Sequence, residues 1–218
     1  MNGLSKYYIK KIISCFADEM TATETSRKLK VNRNTVNKYY RIIREAIADY
    51  QNTLFCGQSK TGLTSLYYLY WHKSNGITTI YDDNAITFYT APLNGRVYVG
   101  SEENEQPVFG DGKQDAMMPP LSSLEIIALD EFDEPRTHLS PKNQSSGNVK
   151  AMDLVYHFFL YAKDKLTKFY GVKEEYSLLY LKELEFRFNN RDKDLSQIIW
   201  KILPHHSPEW AKTSRYRK

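Results

Sequence analysis

The chain has 218 residues, of which 41% are hydrophobic and 26% charged, and a formal net charge of +4 at pH 7. This composition excludes a disordered tail, and the length accommodates one small module plus a second domain with its own core. No stretch approaches the roughly eighteen uninterrupted apolar residues of a membrane span, so no membrane partner is expected.

The first twenty positions carry Lys6, Lys10 and Lys11 beside Asp18 and Glu19, in a helical pattern unlike a secretory signal. This places the chain in the cytoplasm. Ile9, Ile12, Ile13 and Phe16 recur at helical spacing and predict a first helix over Lys6–Phe16. Thr21-Ala22-Thr23-Glu24 has the spacing of a capping box, in which the Thr21 hydroxyl and the Glu24 carboxylate each take a backbone N–H of the other residue. A second helix then runs to about Lys30, with Leu29 inward. Val31 is the apolar turn residue, and Asn32 suits the N-cap of a third helix carrying Val36, Tyr40 and Ile43 on one face. Three short helices with a tight turn before the third form the pattern of a DNA-binding helix-turn-helix. The third helix exposes Arg33, Asn34, Asn37 and Lys38 in its first turns, with Arg41 and Arg44 continuing the basic face. These are the side-chain types that contact guanine, adenine and phosphate in a major groove. The competing reading is a small bundle whose charged face meets another protein.

After Tyr50 a linker holding Cys56 is expected, and then aromatic and β-branched residues indicate a sheet. Neither Cys56 nor Cys15 belongs to a disulfide framework or a Cys-x-x-Cys zinc pair. Ile77–Tyr81 and Ala85–Thr90 read as strands joined at Asp82-Asp83-Asn84. Asn94-Gly95 is a strong hairpin signal leading into Arg96–Val99. Leu124–Leu129 is a further strand ending at Asp130, and Glu134–Asn148 a polar loop. Helices are expected over about 150–169 and 173–189, separated at Gly171, with the aromatic run Tyr156–Tyr161 mostly in the core. A short amphipathic segment follows near Leu195–Leu203, and residues 150–203 are expected to pack against the sheet. Gly110–Lys113 reads as a turn rather than a phosphate loop, and His205-His206 as solvated residues. Charge is segregated: residues 1–50 hold 10 basic and 5 acidic side chains, 51–149 hold 6 and 12, and 150–218 hold 14 and 9. Basic ends therefore flank an acidic middle.

Lys165–Gly171 and Leu179-Tyr-Leu-Lys-Glu-Leu-Glu-Phe-Arg-Phe-Asn-Asn-Arg191, with Leu4-Ser-Lys-Tyr7 and Val31-Asn-Arg-Asn-Thr-Val36, resemble the bacterial insertion-sequence transposases related to the eukaryotic Merlin elements. The resemblance covers about half the chain. It implies an α+β protein: an N-terminal all-α helix-turn-helix over 1–50, then a reduced RNase H-like α/β domain with C-terminal helices over 51–218, acidic in its sheet and basic in its helices.

The resemblance also implies a metal-dependent site: one Asp from the first strand of the sheet, one from the end of the fourth, and a third ligand from the following helix. Asp130 fits the second place. The first falls on Gly62 when Phe55-Cys-Gly57 is matched to the family, or on Asp82 by strand order. The third falls on Tyr156, a poor Mg²⁺ ligand, with Asp153 one turn earlier. Two metals need more carboxylates than Asp130 alone. The expectation is a sequence-specific double-stranded DNA-binding protein of transposase descent, catalytically impaired and acting as regulator or inhibitor. No cofactor is expected, and the partners are double-stranded DNA and a homo-oligomer or a mixed oligomer with a related transposase. The alternative is an active transposase using Asp82, Asp130 and Asp153 with Mg²⁺.

Overall fold

The structure, a computed structural model, describes residues 4–58, 65–72, 76–78, 86–103, 106–108, 125–127, 146–166 and 176–206. It is an α+β protein whose chain divides into two compact units, Met1–Tyr50 with Asn190–Lys218, and Gln51–Asn189. The expected second domain over 51–218 is therefore too long. Residues from Asn190 onward group with the N-terminal helices, because the last helix packs on the first.

In the first unit α1 spans Lys6–Ala17, α2 Ala22–Leu29, and α3 begins at Arg33. The last helix, α6, spans Leu195–His206. It starts at Asp194, whose Oδ1 accepts the Gln197 N–H at 3.1 Å while the Gln197 amide reaches back to Oδ2 at 2.8 Å. Ile9, Ile12, Ile13 and Phe16 of α1 are buried, as are Val36, Tyr40, Ile43 and Ile47 of α3 and Ile199 and Leu203 of α6. The periodicity of these positions is helical, so each helix turns one apolar stripe inward. α3 does not stop at Tyr50. It continues unbroken to Gln58, so Cys56 lies on a helix and not in a linker.

In the second unit β1 (Ser65–His72), β2 (Gly76–Thr78), β3 (Ile86–Leu93), β4 (Arg96–Glu103), β5 (Gln106–Val108) and β6 (Glu125–Ile127) make one sheet. β1, β3 and β4 form an antiparallel meander. The other edge of β1 is shared by β6, parallel from Ser65↔Glu125 to Tyr67↔Ile127, and by β2, antiparallel from Tyr70↔Thr78 to His72↔Gly76. The β3–β4 turn is Asn94-Gly95, both residues at positive φ (51° and 72°), as a two-residue hairpin matching the strand twist requires. The strand expected to be first, Ile77–Tyr81, is instead the short partner β2, and the first strand is the aromatic segment Ser65–His72.

α4 (Ser146–Leu166) and α5 (Ser177–Asn189) cover this sheet. Val155, Phe158, Phe159, Ala162 and Leu166 join Tyr67, Leu69, Phe88, Val97, Val99, Leu181, Leu184 and Phe188 in one core. His157 and Leu160 face solvent, so the aromatic run divides by helical phase. Tyr98 points to the opposite side of β4 from Val97 and Val99 and meets Phe55 of α3 at 5.2 Å between ring centroids.

α5 is buried along most of its length and carries charge into the interior. Arg187 pairs with Glu183 at 2.8 Å, both nearly inaccessible. The fully buried Glu185 accepts the Val99 N–H at 2.9 Å and the Gln51 side-chain N–H at 2.7 Å, and its Oε2 lies 3.1 Å from Lys182 Nζ. Burial pushes the Glu185 carboxyl up from its ordinary value against the opposing pull of Lys182, the Val99 N–H and Gln51. One turn on, Asn189 accepts the Val97 N–H at 2.9 Å and donates to the Val97 carbonyl at 2.6 Å. Two side chains of α5 thus occupy the polar groups of β4 that face away from β3, where an open edge would invite another strand.

Removing one partner of a buried pair leaves the other charge unpaired, at a cost of about 3–5 kcal/mol. Glu185→Gln is therefore expected to lower the urea midpoint by a stability loss of about that size, although the amide still accepts the Val99 N–H. The double variant Lys182→Met/Glu185→Gln should recover most of the loss. A double variant as unstable as the single one would show that the ion pair is not the term that matters.

Candidate nucleic-acid interface

The first turns of α3 are positioned by the chain before them. Thr21 Oγ1 accepts the Glu24 N–H at 3.2 Å, and Glu24 Oε2 accepts the Thr21 N–H at 2.8 Å and the Thr21 hydroxyl at 2.7 Å. The capping box expected from the sequence is thus formed. These bonds, the Thr21 hydroxyl first, hold the Glu24 carboxyl below the ordinary carboxylate range. α2 ends at Lys30, which adopts a left-handed conformation (φ 53°, ψ 40°). The Val31 N–H then returns to the Ser26 carbonyl at 3.2 Å, while the Ser26 hydroxyl donates to the Val31 carbonyl at 2.7 Å. Asn32 starts α3 by accepting the Asn34 N–H on its side-chain oxygen at 2.8 Å.

Tyr40 locks this arrangement from below. It is 4% exposed, and its ring meets Phe16 of α1 edge-on at 5.0 Å. Its hydroxyl donates to the Met20 carbonyl at 2.9 Å, between α1 and α2. The phenol has a single proton, so the buried Thr25 hydroxyl of α2, 2.7 Å away, is the donor in the second bond. One side chain of α3 therefore touches α1, the α1–α2 turn and α2. The sequence reading placed Tyr40 on an apolar stripe and missed this role. The signal was a phenol in the middle of a core face, where its hydroxyl needs partners.

With α3 held in this way, Arg33, Asn34, Asn37 and Lys38 are all exposed on its first turns. Arg41 is also exposed, at 63% of its side chain, and makes an ion pair with Glu45 at 2.8 Å. Arg44 departs from the expected basic face. It is half-buried, with its guanidinium 5.4 Å from the Phe16 ring centre and 6.0 Å from that of Tyr40. An arginine over two aromatic faces serves the packing of the three helices. The groups presented to a ligand are thus two amides, one guanidinium and one ammonium within six residues. This set matches base edges and phosphates more closely than the surface of a folded protein.

The carboxylates assigned to catalysis are not brought together by the described residues. Asp82, Asp130, Gly62 and Gly110–Lys113 lie outside them. Asp153 is exposed on α4, and its backbone carbonyl is 2.7 Å from Nδ1 of His157 one turn later. Tyr156 is half-buried against the core. β1 has no Asp or Glu in its sequence, so the strand that parallels β6 supplies no carboxylate. Among the described residues no group of three or more His, Cys, Asp or Glu is placed to hold a metal ion, and no helix is long and apolar enough to cross a membrane.

Tyr40→Phe keeps the ring but strands the Met20 carbonyl and the Thr25 hydroxyl. It is expected to lower stability by about 1–3 kcal/mol in denaturant unfolding, with amide protection lost first at the N-terminus of α3. Unchanged stability and protection would mean that this hydroxyl does not organise the three helices.

Compared with known proteins, the chain matches no protein-family model, no curated protein and no solved structure. The functional reading accordingly rests on the residues of this chain.

Proposed function

We propose that the chain is a sequence-specific double-stranded DNA-binding protein, with α2 and α3 acting as a helix-turn-helix and the first turns of α3 entering the major groove. The observation that carries this reading is the exposed set Arg33, Asn34, Asn37 and Lys38, on a helix start held by Tyr40 and the capped turn before it. Arg33 has the fork geometry to read guanine, Asn34 and Asn37 the paired donor and acceptor to read adenine, and Lys38 the point charge for a phosphate.

The second unit is read as a reduced RNase H-like domain of transposase descent. Support comes from the meander β1–β3–β4 with β6 parallel on the free side of β1. Parallel neighbours end side by side, so Asp130, three residues beyond β6, follows the strand end that neighbours β1. A two-metal site there would need a carboxylate from β1, and Ser65–His72 has none. In this reading the protein binds element-end-like sites and acts as a regulator, or as an inhibitor of an active relative through shared sites or mixed oligomers. It does not cut. Mg²⁺ would matter only to the enzyme reading through Asp82, Asp130 and Asp153, which no observation here favours.

Selection of random duplexes by the full chain should yield a recurring motif. Against that motif Arg33→Ala or Asn37→Ala should reduce discrimination by about 1–3 kcal/mol each, and Lys38→Ala should weaken all sequences alike. Binding unaltered in the combined Arg33→Ala/Asn34→Ala/Asn37→Ala variant would rule out this helix as the reader.

A further inference from the structure

The outer side of α1 carries a second charged surface that the reading above does not use. Lys6, Tyr7, Tyr8, Lys10 and Lys11 are all exposed, Tyr7 at 64% and Tyr8 at 40%, and no acidic residue occurs on α1. Among the described residues no carboxylate pairs with these three lysines. They are held by aromatic rings instead. Lys6 and Lys10, one turn apart, place their ammonium groups 5.5 and 5.0 Å from the ring centre of Trp200 on α6, and Lys11 lies 5.6 Å from that of Tyr7. Cation–π attraction limits where these flexible side chains go without neutralising them, which lowers the entropy lost when a ligand orders them. Sequence reading did not find this site because Trp200 is nearly two hundred residues from Lys6 in the chain.

We propose that this α1–α6 face is a second contact to DNA, binding the phosphate backbone that flanks the site read by α3; the proposal rests on the DNA-binding reading above. Three positive charges without internal counter-ions, beside two tyrosine hydroxyls, complement a polyanion rich in acceptor oxygens. A lipid surface fits less well. The apolar residues of α1, Ile9, Ile12, Ile13 and Phe16, are buried in the bundle, which leaves no apolar stripe to insert between headgroups. The contact carries no sequence information, because it offers nothing that reads a base edge.

The test compares the full-length wild type with Lys6→Gln/Lys10→Gln/Lys11→Gln and with Arg33→Ala/Asn37→Ala. Each is titrated at several salt concentrations into the selected duplex with long flanks and into a scrambled duplex of equal length. Glutamine has nearly the helix propensity of lysine, and circular dichroism checks that α1 survives. The lysine variant should lose affinity for both duplexes by the same factor, and its log–log salt slope should fall by about two to three, near 0.9 per phosphate released. Its ratio of selected to scrambled binding should stay at the wild-type value. An unchanged slope would overturn the proposal; if Arg33→Ala/Asn37→Ala still lost discrimination, the reading of α3 would stand alone. Failure of both sets to alter binding would overturn both. Wild-type binding to phosphatidylserine vesicles that the lysine variant loses, with its DNA slope intact, would assign the face to a membrane and overturn the proposal.

Discussion

The arrangement of the N-terminal helices depends on one hydroxyl. Tyr40 Oη gives its proton to the Met20 carbonyl and receives that of Thr25, while its ring lies edge-on to Phe16. Each contact reaches a different part of the preceding chain, so α3 is fixed in rotation as well as in place. Rotation is what matters for a reading helix: about 100° separates successive residues, and a modest turn would bury Asn37 and expose Val36. Arg44 strengthens the same junction by lying over both rings, which explains why it faces the bundle rather than a ligand.

The second unit depends on a different kind of constraint. Glu185 and Asn189 meet the outward-facing backbone groups of Val97 and Val99, which closes the edge of β4 with side chains where it would otherwise need a further strand. This gives structural work to the Phe-Arg-Phe-Asn-Asn segment that carries the transposase resemblance, since Asn189 is its first asparagine and Glu185 immediately precedes it. Such residues serve the scaffold whether or not any chemistry takes place. In the proposed reading the scaffold is retained while β1, filled with Tyr, Leu and Trp, contributes packing where a metal site would need a carboxylate.

Local signals were legible in the sequence wherever the physics is local. The capping box at Thr21 and Glu24, the N-cap at Asn32 and the Asn94-Gly95 hairpin depend on neighbours within four residues, and each forms as read. The helical phase of Phe158 and Leu181 was also readable, because a long amphipathic pattern repeats. What was hidden depended on distant partners. Ser65–His72 lacks the polar alternation of a half-exposed strand because it lies between β3 and two further partners, β2 and β6, and so it was passed over as the first strand. The extension of α3 through Gly57 was read as a linker, since a glycine commonly ends a helix, yet Phe55 is held by Tyr98. α6 was assigned to the sheet because nothing in its own residues names α1 as its partner. The candidate DNA-reading residues were legible for the opposite reason. Exposed side chains need no tertiary partner, and only Arg44, which found one, departed from the expected face.

The central claim is that the start of α3 reads base edges in a major groove. Methylation interference on the selected duplex tests it most directly, because a methyl group on guanine N7 blocks that groove without altering phosphate charge. The account predicts that methylating one or two guanines within the motif abolishes binding of the wild type, and that Arg33→Ala becomes indifferent to the same methyl group. Wild-type binding that tolerates N7 methylation at every guanine of the motif would contradict it.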